Sequence, residues 1–397
     1  MISRRGLACS VAAVLLLGGV SGCGSAPPEG AWLISPTPVK NDGMGPPDIS
    51  YGGGVITDDT VGGVWYVSAG SWLRSTATGT VTRFNVERWQ SRQELDVAAL
   101  SPTRLLVLLP LGQSALSTAI ELFDTETRRS EPFLVGQRTQ TSPDAPLPFT
   151  ADGPIDAASP LGPITSIDVD AAGALVFVER VNVGRAANDE YVVRRMLPGG
   201  ELETVAGVPV RAEGQEAVEQ PGDGEQLRGS ALAAASVDVS AGDPRGIVLG
   251  TEHGVFQILE DGTARVVAGA LDEASPLWAA LEPGNVGNVR VRPVDASADG
   301  RIVYHLDESG QPASHLVTPA AHVDGGSAEF RELVQGTPVR ASGTGLAVWQ
   351  GNAPLAVSPA LRNARTAAWV APGVLVAVVG GGQDNGALPR VQLTAVR

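Results

Sequence analysis

The sequence predicts an all-β fold: a β-propeller of six blades, each of four antiparallel strands, with a seventh blade only if a long connection contains one. Three observations predict it. Beyond residue 48, short runs rich in Val, Ile, Leu and Thr alternate with Gly, Asp, Asn and Pro turns, and no stretch has the periodicity of a long amphipathic helix. These runs group into units that recur every roughly 40 to 60 residues, a spacing typical of propellers. The clearest units hold four runs, the strand number of one blade.

In chain order, the first unit covers about 53–84, with Val64-Trp65-Tyr66-Val67 and the turn Thr78-Gly79-Thr80. The second spans about 94–136, with apolar runs at 105–109 and 120–123. The third is the most regular: 164–170, the turn Ala171-Ala172-Gly173, 174–178, 191–195, the turn Gly199-Gly200, and 201–207. The fourth repeats it with 235–240, 246–250, 254–259, the turn Asp261-Gly262, and 264–269. A fifth covers about 289–336, with Asp299-Gly300 and a strand at 302–305. The last runs from about 346 to the end, with strands at 347–349, 367–370 and 374–378.

Units three and four share a finer pattern: Asp-x-x-Gly, a short strand, a basic residue, a glycine turn, and a strand closing on Val-Ala-Gly. The closing tripeptide occurs as Val205-Ala206-Gly207 and as Val267-Ala268-Gly269. Between them, Gly222-Asp223-Gly224 is followed by Ala231-Leu232. This pattern resembles NHL repeats, although unit four lacks the basic residue. The resemblance covers roughly 110 residues, and the other units match it only in strand pattern. It implies a six-bladed propeller. Such domains mostly bind proteins or nucleic acid, and some relatives are lyases or hydrolases, so fold transfers better than function.

The N-terminus carries an export signal over residues 1–22. Arg4 and Arg5 supply its positive end, and 7–20 is an uncharged apolar run, shorter than the about 20 residues of a comfortable membrane span. It ends in Val20-Ser21-Gly22-Cys23, which resembles the lipobox of bacterial lipoproteins. The resemblance implies cleavage before Cys23 and a diacylglyceryl group on its thiol, with fatty acyl chains such as palmitate holding the protein to the extracytoplasmic side of the cell membrane. Ser3-Arg4-Arg5-Gly6-Leu7 also resembles a twin-arginine export signal. The chain's two cysteines are Cys9, inside the signal, and Cys23. The mature protein is therefore expected to fold without a disulfide or a cysteine metal site. Residues 23–48 are rich in Pro, Gly and Ser and form the expected tether, with Ala31-Trp32-Leu33-Ile34-Ser35 an apolar island able to dock as a strand on the 49–397 propeller domain.

A formal net charge of −15 argues against nucleic acid as a partner and against electrostatic adhesion to anionic lipid. Lys40 is the only lysine, and the Arg-, Ala-, Gly- and Val-rich composition suggests a GC-rich genome. Sequence motifs for catalysis are scarce: the chain beyond the signal has no Gly-x-Ser-x-Gly elbow, no His-Glu-x-x-His and no phosphate loop. No cofactor and no metal are expected. The aspartates of Asp168-Val169-Asp170 and of 295–299 lack the spaced ligand set of a calcium loop and are expected to bond their own turns.

Strand alternation sorts the loops. Strand-two-to-three loops and blade-to-blade connections share one face, and the excursions at 139–163, 181–190, 208–229 and 271–287 are expected there. Long loops on a rigid scaffold are where binding resides. Of the four histidines, His253, His305, His315 and His322, only His253 falls in a turn on that face. Trp72 and Trp278 fall in or near predicted loops, whereas Trp65, Trp349 and Trp369 suit blade cores. The candidate ligand-contact residues are therefore Trp72, His253 and Trp278. The leading functional expectation is a lipid-anchored binding or scaffold module for a protein or envelope component. The alternative is an extracytoplasmic propeller lyase or hydrolase acting on a lactone, glycan or peptide.

Overall fold

The computed structural model describes residues 31–34, 55–68, 71–75, 81–85, 95–111, 117–137, 149–155, 159–182, 189–209, 215–234, 237–243, 246–251 and 254–268, and the strands between 289 and 395. All its regular elements are strands. In chain order, β1 is Ala31–Ile34. A first sheet follows: β2 (Val55–Asp58), β3 (Val64–Ser68), β4 (Ser71–Ser75) and β5 (Val81–Asn85). The second holds β6 (Asp96–Ser101), β7 (Arg104–Pro110), β8 (Ser117–Asp124) and β9 (Arg129–Gln137). Next comes the short β10 (Gly153–Pro154), then β11 (Ile164–Val169), β12 (Leu175–Asn182), β13 (Asp189–Met196) and β14 (Glu201–Ala206) of the third sheet, and β15 (Leu232–Ala234).

The fourth sheet is β16 (Val237–Ser240), β17 (Ile247–Thr251), β18 (Gly254–Ile258) and β19 (Ala264–Ala268). The fifth begins with β20 (Val289–Ala296), β21 (Ile302–Glu308) and β22 (Gln311–Val317), and takes β23 (Leu346–Ala347). After the two-residue pair β24 (Trp349–Gln350) and β25 (Ala353–Pro354), the chain forms β26 (Ala364–Ala371), β27 (Val374–Val379) and β28 (Arg390–Ala395).

Within each sheet the consecutive strands pair mainly as antiparallel meanders. The first strands neighbour one another: β2 lies beside β6, β6 beside β11, β11 beside β16, β16 beside β20, β20 beside β26, and β26 beside β2. This is the sheet plan of a β-propeller.

Apolar side chains fill the layers between sheets. Trp65, Trp72, Val97, Leu105, Val107, Leu109 and Phe123 pack the first against the second. Leu106, Leu108, Ile120, Ile164 and Phe177 join the second to the third, and Val176, Val193, Leu232, Leu249 and Ile258 the third to the fourth. Strands that touch sheets on both sides are apolar in both parities, which is why 105–109 reads as an unbroken Leu/Val run.

The apolar island of residues 31–35 does dock as a strand, as the sequence reading allowed: β1 pairs antiparallel with β28, Trp32 opposite Leu393 and Leu33 opposite Gln392. Two boundaries differ from the sequence reading. Among the described residues, the fourth strand of the fifth sheet is β23, beyond residue 336, and it pairs parallel to β22. The last sheet starts at Ala364 rather than near 346, and has the order β1-β28-β27-β26. Each difference is a non-local pairing, invisible to local hydrophobic pattern.

Candidate functional site: the carboxylates where the sheets meet

The first strands carry aspartates where they adjoin: Asp58 on β2, Asp96 on β6, Asp168 on β11, Asp238 on β16 and Asp295 on β20. All five are half-buried. Three reach across to the next sheet's backbone. Asp96 Oδ2 accepts the Ile167 N–H at 2.8 Å, Asp168 Oδ2 the Ala241 N–H at 2.6 Å, and Asp295 Oδ2 the Trp369 N–H at 2.5 Å. Two buried serines, Ser166 and Ser240, sit between these carboxylates.

Packed protein removes most of the water that would solvate these charges, and the carboxylates repel one another. Lost hydration, with repulsion from Asp168, pushes Asp58 up to about 7. Lost hydration, then Asp238, holds Asp96 well above the ordinary carboxyl range. Lost hydration, then Asp168, does the same to Asp295, and lost hydration also raises Asp168. Among the described residues, no three His, Cys, Asp or Glu side chains converge as a metal-ligand set.

A second arrangement recurs at the turn between first and second strands. Asp170 Oδ1 accepts the Ala172 and Ala174 N–H groups of its own turn, and Oδ2 accepts from Arg195 Nε at 2.8 Å. In the first sheet, Asp59 accepts the Val61 and Gly63 N–H groups and binds Arg74. In the fourth, Asp243 accepts from Gln257 Nε2 at 3.0 Å. Each begins an Asp-x-x-Gly turn. Gln257 thus stands where the fourth unit lacks its basic residue, as a neutral donor.

Of the sequence-predicted site residues, only Trp72 lies among the described ones. Trp72 is not a loop residue: it lies in β4, fully buried, 5.0 Å centroid to centroid from Phe123 and 6.5 Å from Trp65. Strand β4 begins at Ser71, directly after a short hairpin, and so takes in Trp72. Cys23, His253 and Trp278 lie outside the described residues, as does His322. His305 and His315 lie on strands β21 and β22. Asp168 is corrected from turn aspartate to inter-sheet contact, while Asp170 keeps the turn role.

The one-face expectation for the long excursions is also corrected. In the first excursion, β10 pairs with β14, and the Ile155 N–H donates to Gly200 O of a tight turn on the opposite side. Its Gly162 N–H donates to Glu179 Oε1 at 2.6 Å, and Thr150 O accepts from Arg194 Nη2 at 2.8 Å. In the third, the Leu227 N–H donates to Gly262 O, and Glu225 O accepts the Ala264 N–H. Both therefore strap the outer strands. Open strand edges need partners, and these segments supply them. Of the excursion at 181–190, the ends lie in β12 and β13 and residues 183–188 lie outside the described residues, as do 271–287.

Sequence reasoning missed Asp58, Asp96, Asp238, Ser166 and Ser240 as a group. A signal was present: Ser166-Ile167-Asp168 and Asp238-Val239-Ser240 place two polar residues at alternate positions, with an apolar residue between them, in first strands.

No protein-family model matches the chain, and no curated protein matches its sequence. Among solved structures, it is similar to a gluconolactonase from Xanthomonas campestris, at 12% identity over 86% of this chain and 85% of that one, with a TM-score of 0.37. It is also similar to the β-propeller domain of the Trilobed protease from Pyrococcus furiosus, at 11% identity over 86% and 92% of the two chains, with a TM-score of 0.36. Likenesses this remote transfer no activity.

Proposed function

We propose that this chain is a lipid-anchored, extracytoplasmic β-propeller that serves as a binding or scaffold module for a protein or envelope component. The carrying observation is what the carboxylates of the adjoining first strands do. Asp96, Asp168 and Asp295 accept backbone N–H groups from the adjoining sheet. A carboxylate so engaged holds a junction together and is poorly placed to move protons on a substrate. In this reading the axis is a structural seam, and recognition belongs to the rim.

The propeller has six blades of NHL type, closed when β1 supplies the outer strand of the last one. The pairing of β1 with β28 and the adjacency of β26 and β2 support that closure. Closure by β1 also brings the anchor near. Only residues 24–30 separate Cys23 from β1, a reach of at most roughly 29 Å. The lipid therefore holds the edge of the last blade close to the membrane.

Three measurements test the proposal. Cys23→Ser should shift the chain from the membrane to the soluble fraction and abolish metabolic palmitate labelling; retention with label would refute the anchor. In-cell crosslinking of the anchored chain should recover a discrete protein or envelope partner. Turnover of a lactone, glycan or peptide, lost in His253→Ala, would replace the binding reading with the enzymatic one.

A further inference from the structure

Ser166 and Ser240 each pose a hydrogen-counting problem with one solution. Ser166 Oγ lies 2.9 Å from Asp96 Oδ2 and 2.7 Å from Asp238 Oδ1, and it accepts the Val239 N–H at 3.1 Å. A hydroxyl has one hydrogen to donate and two lone pairs to accept with. It can donate to one of the two carboxylates only. The other carboxyl must bring a hydrogen of its own, or lone pairs face each other across a half-buried contact. Ser240 repeats the arrangement. Its Oγ is 3.0 Å from Asp168 Oδ2 and 3.3 Å from Asp295 Oδ1, and it accepts the Ala296 N–H at 3.0 Å.

The two bridges are staggered along the seam. Ser166 and Asp168 are two apart on β11, and Asp238 and Ser240 are two apart on β16, so each pair points to one side of its strand. Ser166 ties the second, third and fourth sheets; Ser240 ties the third, fourth and fifth.

We propose that each serine bridges a carboxyl pair that holds one proton at neutral pH, and that the pairs Asp96–Asp238 and Asp168–Asp295 form a proton-dependent latch across the second to fifth sheets. This rests on the sheet junctions alone and not on the anchor or the partner. The shared proton belongs to each pair rather than to one residue.

The surroundings favour retention of the proton. The charges acting most strongly on these groups are other carboxylates: Asp238 on Asp96, Asp170 on Asp168, and Asp168 and Asp58 on Asp295. Asp58 in turn faces Asp168 and Asp59. The remaining charged positions of the adjoining strands are Arg290 and Arg292 on β20, which precede a register shift after Arg292, and Arg365 on β26. The folded chain thus binds more protons than the unfolded one above the ordinary carboxyl range. Stability from the latch is full only at and below the ordinary carboxyl range and falls as pH rises above it. The latch couples the rigidity of the junctions to the surrounding pH.

Asp238→Asn and Asp295→Asn test the latch, because an amide is a permanent donor to the serine. Thermal unfolding of the purified full-length chain in detergent is compared at about pH 5 and about pH 8. The unaltered chain should lose several degrees of midpoint at the higher pH, and the double variant should lose less than half as much. An equal loss in both, or no loss in the unaltered chain, overturns the proposal. Should the variant fail to fold, carboxyl carbon-13 spectra of the unaltered chain at about pH 7 decide. At least two aspartates besides Asp58 should still be protonated; fewer would overturn it.

Discussion

Arg74 clamps the first hairpin of the propeller through a single carboxylate oxygen: Asp59 Oδ2 accepts from both Nε, at 3.0 Å, and Nη2, at 2.8 Å. Asp59 is fully buried, and the guanidinium carbon of Arg74 lies 5.6 Å from the centroid of the Trp65 ring. Removing the cation strands a buried charge. Arg74→Ala should therefore cost about 3 kcal/mol, read as a lower denaturant midpoint. Arg74→Lys should recover only part of it, since an ammonium supplies no planar fork.

Trp72 fills the layer between the first and second sheets. Trp72→Ala should cost about 3–5 kcal/mol through the cavity left behind. Partner capture, measured at a temperature where the variant stays folded, should be unchanged. A variant of unaltered stability that lost its partner would return Trp72 to the list of contact residues.

Gly207 ends the Val-Ala-Gly run with φ at +88°. A Cβ there would lie 2.5 Å from Tyr191 O. Backbone conformation and space both demand glycine, so Gly207→Ala should cost about 2 kcal/mol or more, visible as earlier thermal unfolding.

Glu179 and Arg194 are both fully buried, 3.7 Å apart. Burial pushes Glu179 up to about 7 despite the Gly162 N–H and Arg194, which pull it down. The folded chain therefore holds a proton that the unfolded chain releases at lower pH. The contribution of Glu179 falls as pH rises from its ordinary 4.5 to about 7 and is level beyond. Glu179→Gln keeps an acceptor for Gly162. It should match the unaltered chain in mildly acidic buffer and lose less stability across that window, as followed by denaturant titration at a series of pH values.

The first four units were legible to within a few residues because each is a local hairpin series, and local pattern determines local pairing. The run at 105–109 announced a strand, and the structure buries Leu105, Leu106, Val107 and Leu108 on both of its faces. The Asp-x-x-Gly turns announced tight corners, and Gly207 the point where the chain leaves the third sheet. The aspartates were the hard part. Asp168 and Asp170 stand two residues apart with the same side chain, yet one bonds its own turn and Arg195, while the other bonds Ala241 in the next sheet. Nothing in the residue type separates them.

By itself, the sequence determined the all-β class, the repeat and the strand-turn rhythm of the third and fourth units, since these follow from side-chain periodicity and turn chemistry over a few residues. Only the tertiary structure decided that Ala31–Ile34 pairs with Arg390–Ala395, that the excursions strap outer edges, and that Ser166 and Ser240 each meet two carboxylates. Those contacts join residues far apart in the sequence, or strands from opposite ends of the chain. Their partners are chosen by which sheets lie side by side, a choice that depends on the packing of whole layers.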